Sequence, residues 1–115
     1  MRRSLCAYLQ DILDAAAAIH TFSDGLQFET FESVDLVRSA VERKFEIIGE
    51  ALRQVSRHFP GSVASVPDLR DVINHRNHIA HGYFEVDAQV LWSTMHGDLI
   101  QLEQEIERIK SVHCA

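Results

Sequence analysis

The sequence is poor in cysteine and proline, and nowhere does it run apolar for long. Cys6 and Cys114 are the two cysteines, far apart and without the close spacing of a metal-binding pair. That excludes a disulfide-dense scaffold and a zinc-finger type of site. Free, reduced thiols in a cytosolic protein are expected, and a bridge between the two is the less favoured arrangement. No stretch of eighteen or more apolar residues occurs, so no membrane-spanning helix and no membrane partner are expected. Met1-Arg2-Arg3 opens the sequence, but Gln10, Asp11 and Asp14 interrupt the apolar run that a signal peptide would need, which favours a cytoplasmic protein. Strand-like alternation, internal repeats and low-complexity tracts are absent as well.

An excess of positive charge is also missing. Lys+Arg 11 against Asp+Glu 17 gives a net charge of −6, which argues against a broad electrostatic grip on nucleic acid. No DNA partner is expected, while a small basic site acting on RNA stays compatible with that balance. At 115 residues, 46% hydrophobic and 24% charged, the chain has the length and composition of one globular domain, residues 1–115.

What is present is helical periodicity. Leu5, Tyr8, Leu9, Ile12, Ala15, Ala16 and Ile19 mark a first helix from about Arg3 to Ile19, stopped by Thr21-Phe22-Ser23-Asp24-Gly25. Phe22, Leu26, Phe28 and Phe31 crowd the connection that follows and predict one helical turn folded onto the core. A second helix, about Ser33 to His58, carries Val37, Val41, Phe45, Ile48, Leu52, Val55 and Phe59 at near-heptad steps and ends at Pro60-Gly61-Ser62. Pro67 and Asp68 offer a start for a third helix, which stops near Gly82. Asp87 suits the N-cap of a last helix carrying Val90, Leu91, Met95, Leu99, Leu102, Ile106 and Ile109, with Gly97 as a point of bending or close contact. The expected fold is all-α, an up-and-down four-helix bundle with a short extra helical turn.

The third helix carries the chemistry. Arg76 falls between Val72, Ile73, Ile79 and Ala80, in the middle of an apolar stripe where an unpartnered guanidinium is costly. Asn77, His81, Gly82 and Tyr83 follow it. Imidazole is the usual proton-transfer group near neutral pH, and guanidinium holds and stabilises phosphoryl oxygens. Arg76 and His81 are five residues apart, roughly 140° on an ideal helix, so they converge only if the helix loosens at His81 or if two copies of the chain share the site. Glu50, following Ile47-Ile48-Gly49, is expected to be a buried carboxylate that could pair with Arg76. His75, His78 and His81, spaced three apart, sweep around a helix instead of facing one point, so no metal site and no cofactor are expected. Trp92 and Tyr8 read as core or interface, not as a base-stacking platform.

On Arg76-Asn77-His78-Ile79-Ala80-His81-Gly82-Tyr83-Phe84 the sequence resembles the HEPN superfamily, specifically the HepT-like proteins of prokaryotic toxin–antitoxin pairs, whose R-x4-H-x-Y motif falls on Arg76, His81 and Tyr83. Tyr8-Leu9-Gln10-Asp11-Ile12 is similar to that group's first helix, Ile48-Gly49-Glu50-Ala51 to its second-helix signature, and Val86-Asp87 through Trp92 to the start of its last helix. Leu69 stands where those proteins often carry a tryptophan. The resemblance implies a homodimer with a composite site, metal-independent endoribonuclease activity toward RNA, and Arg76 and His81 as the catalytic pair with Asn77 in support. It also implies a minimal nucleotidyltransferase antitoxin as partner, which would silence the toxin by adding AMP to Tyr83. The rival reading is a non-catalytic nucleotide- or substrate-binding module that docks such a nucleotidyltransferase.

Overall fold

The computed structural model describes residues 3–66 and 88–114. Among these, the chain is all-helical: α1 Leu5–Ser23, α2 Phe28–Ser33, α3 Asp35–His58, α4 Ala88–His96 and α5 Asp98–His113. The expected third helix lies outside the described residues.

Local chemistry accounts for the ends of these elements. Ser4 caps α1, its Oγ accepting from the Ala7 N–H at 3.1 Å. α1 runs past the expected stop at Thr21 as far as Ser23, and the hydroxyls of Thr21 and Ser23 bond back to the carbonyls of Ala17 and Ile19. The chain turns at Gly25, whose φ of 74° suits glycine. Asp35 in the first turn of α3 and Arg57 and His58 in its last turn match the helix dipole at both ends. Past α3, the Phe59 N–H reaches the Val55 carbonyl and Gly61 turns the backbone at φ 83°.

The expected last helix is two helices. Gly97, at φ −130° and ψ −88°, leaves helical geometry between α4 and α5. A Cβ placed there would meet the Ser93 carbonyl oxygen at 3.3 Å, so the break and the close approach fall on the same residue.

One core joins the elements. Leu9, Ile12, Ala15, Ala16 and Ile19 of α1 pack with Val41, Phe45, Ile48 and Ala51 of α3 and with Leu99, Leu102, Ile106 and Ile109 of α5. The small Ala15 and Ala16 side chains allow close approach of the α1 backbone to its neighbours, and α3 is the element α1 packs against most extensively. Phe31 is fully buried, so the short α2 is a plug on the core. Of the expected stripes, Val37 and Leu52 are only partly buried against the core, and Val90 is exposed.

The cysteines are not free. Cys6, in the first turn of α1, is disulfide-bonded to Cys114, just after α5. The expectation of two reduced thiols fails because spacing along the chain carries no information about a pair that only helix packing brings to a Cα separation of 6.0 Å. Further along the same seam, Lys110 Nζ donates to Gln10 Oε1 at 2.7 Å, and His20 pairs with Glu103. These partners descend on one helix as they ascend on the other, so α1 and α5 run antiparallel.

Candidate functional site

Arg76, Asn77, His81 and Tyr83, and the histidines His75 and His78, lie outside the described residues. The structure shows the elements that flank them. α3 delivers the chain to the turns of residues 59–66, and α4 begins at Ala88.

Glu50 is described, and it corrects the expected burial; the expected pairing with Arg76 lies outside the described residues. It is exposed, its carboxylate held by Arg53 Nη2 at 2.8 Å and Gln54 Nε2 at 2.9 Å, both on its own helix. The hydrogen bond from Gln54, then that from Arg53, holds its carboxyl below the usual value near 4.5. The error was one of direction. Neighbours in sequence are not neighbours around a helix: Glu50 is two residues from Ile48, roughly 200° of rotation, so a fully buried Ile48 turns Glu50 outward. With partners supplied locally, its carboxylate does not wait as a buried, unpaired charge.

Trp92 does what the sequence suggests. Half-buried on α4, it meets Phe28 edge-on at 5.8 Å between ring centroids and Phe31 at 5.3 Å, locking α2 to α4. The exposed His96 ring lies 4.5 Å from Trp92, with Nδ1 2.7 Å from the Trp92 carbonyl oxygen. Tyr8 is partly buried against the core with the Arg3 guanidinium 5.2 Å from its ring centroid. Neither ring stands free as a stacking platform.

Among the described residues, no three His, Cys, Asp or Glu side chains are grouped to hold a metal ion. Among them, too, no helix is long and apolar enough to cross a membrane. The cross-helix pairs Cys6–Cys114, Gln10–Lys110 and His20–Glu103 are features that sequence reasoning missed; no local spacing could signal partners separated by 83 to 108 residues.

A helical frame on either side of the segment that carries an Arg-x4-His-x-Tyr motif defines the class of protein to look for. Residues 12–109 match the ribonuclease HepT-like family, a segment that includes Glu50, Arg76, Asn77, His81 and Tyr83. The chain belongs to the HepT-like family. It is 34% identical over 110 residues to a Thermococcus cleftensis protein whose name proposes ribonuclease HepT, covering 96% of this chain and 99% of that one. A Methanocaldococcus jannaschii protein, proposed by its name to be an RNase, is 32% identical over 106 residues, covering 92% and 96%. A second such protein of that organism is 28% identical over 108 residues, covering 94% and 88%. No solved structure matches the chain significantly.

Proposed function

We propose that this protein is a metal-independent endoribonuclease that acts as the toxin of a toxin–antitoxin pair, working as a homodimer with a composite site. The observation that carries the reading is the family match over residues 12–109, which spans an intact Arg76, Asn77, His81 and Tyr83. Each residue has a chemical task. The ribose 2′-hydroxyl attacks its own phosphodiester, an imidazole takes the hydroxyl proton, and a second proton goes to the leaving 5′-oxygen. His81 supplies one such group per chain, and a second copy of the chain supplies the other. Arg76 binds the scissile phosphate and stabilises the charge that builds on its oxygens, which is why no metal is needed. Asn77 orients the site.

Tyr83 is the regulatory residue in this reading. A partner nucleotidyltransferase adding AMP to its phenol would place bulk and negative charge beside Arg76 and His81, competing with the substrate phosphate for the guanidinium. Glu50 is assigned no step in the mechanism; its carboxylate pairs locally with Arg53 and Gln54, as on a solvated helix face, and the expected pairing with Arg76 lies outside the described residues.

The test is cleavage of a mixed RNA pool in EDTA by wild type and His81→Ala. The expected result is 2′,3′-cyclic phosphate ends from the wild type, loss of cleavage in the variant, and an unchanged dimer by light scattering. An unmodified, dimeric wild type that leaves RNA intact would overturn the enzyme reading in favour of a module that docks the nucleotidyltransferase.

A further inference from the structure

We propose that the Cys6–Cys114 disulfide is a redox-operated staple on the α1–α5 seam: closed, it pins the last turn of α5 to α1; opened by a dithiol, it releases that turn while the helical core stays folded. Three observations converge on this. The bond sits at one end of the seam, with Gln10–Lys110 and His20–Glu103 following in antiparallel register, so it governs the end of the interface and not its middle. The residues just before it, Ser111, Val112 and His113, are exposed, with Val112 at 67%, so apolar burial does little to hold that turn down. Both cysteines lie outside residues 12–109, so the staple is no part of the segment that matches the family.

Both cysteines are only partly buried, which leaves a path for a thiol reagent. A dithiol thiolate attacks one sulfur and breaks the S–S bond, forming a mixed disulfide. The second thiol of the reagent then displaces the protein sulfur. The dithiol loses two electrons and two protons and becomes a cyclic disulfide, while Cys6 and Cys114 each gain one electron and one proton. A reducing thiol pool drives the bond toward the open form, and an oxidising compartment toward the closed one. Because the bond joins positions 108 residues apart, closing it also restricts the unfolded chain strongly, so the redox state sets global as well as local stability.

The experiment uses the full chain after exposure to oxidised glutathione, compared with the same protein after dithiothreitol and with Cys6→Ser. Thiol titration in denaturant is expected to find no free thiol before reduction and two after it, with the oxidised species monomer-sized on a denaturing, non-reducing gel. Reduction is expected to lower Tm by about 10 °C. It should also speed amide exchange at residues 110–114 while leaving Ile12–Ile19 protected. Cys6→Ser should match the reduced form with or without dithiothreitol. Two titratable thiols after oxidation, a disulfide between chains, or equal Tm and exchange in both redox states would each overturn the proposal. None of these readouts depends on RNA cleavage, so failure here and failure of the ribonuclease reading are distinguishable.

Discussion

Lys110 donates from Nζ to Gln10 Oε1 at 2.7 Å, about one helical turn inward of the disulfide between Cys6 and Cys114. The two contacts divide the labour of holding α5 on α1: one is covalent and redox-dependent, the other a part-buried hydrogen bond indifferent to redox state. Lys110→Met keeps the apolar stem and removes the donor, so its expected cost is about 0.5–1.5 kcal/mol. Urea unfolding of the variant in oxidised and reduced forms checks this. A larger effect on local exchange in the reduced form is expected, because the covalent tie beside the hydrogen bond is then gone.

Phe31 carries the attachment of α2. It is fully buried and meets Trp92 at 5.3 Å, so Phe31→Ala removes a plug that links α2, α3 and α4. A loss of about 3–5 kcal/mol is expected, the range for deleting a buried aromatic. Chemical denaturation measures it, with a change in Trp92 fluorescence as the local signature.

Glu50 is expected to be dispensable. Its side chain is 57% exposed and its partners are surface groups on the same helix, so Glu50→Gln should change stability by less than about 1 kcal/mol at neutral pH. The sign of its pH dependence follows from the lowered carboxyl pKa. The small stabilisation is present above the ordinary value near 4.5 and is lost as pH falls through the lower folded value. Unfolding curves of wild type and Glu50→Gln should therefore converge on acidification below about pH 4.5, and cleavage at neutral pH should be equal in the two.

Arg76 separates chemistry from packing. If it binds the scissile phosphate, Arg76→Met should lose RNA cleavage by at least 100-fold, on the order of removing one transition-state donor. Its stability should hold or rise, since methionine suits the apolar stripe that the sequence places around position 76. Thermal melts beside cleavage assays check both halves. Retained cleavage would remove Arg76 from the mechanism.

Much of the frame was legible in the sequence because it is local. Leu9, Ile12, Ala16 and Ile19 repeat at helical spacing and are buried as that spacing demands, and the Phe-rich connection forms the short helix it suggested. The Val41-Phe45-Ile48-Val55 stripe of α3 is buried as expected. Glu50 was misread by the same route: adjacency to Ile47 and Ile48 suggested burial, while the rotation per residue placed it on the opposite face. Gly97 was legible as a weak point, although the sequence did not say that it would divide one helix into two.

By itself, the sequence determined the helical periods, the terminating turns at Gly25 and Gly61, and the order Arg76, Asn77, His81, Tyr83 within the segment that matches the family. All of these are written in spacings of a few residues, where backbone geometry converts sequence directly into position. Only the tertiary structure decided what lies across the helices. It brought Cys6 to Cys114, Gln10 to Lys110 and His20 to Glu103, and it turned Glu50 toward solvent. Those outcomes depend on which faces pack together, and burial of the shared apolar core sets that for all the helices at once.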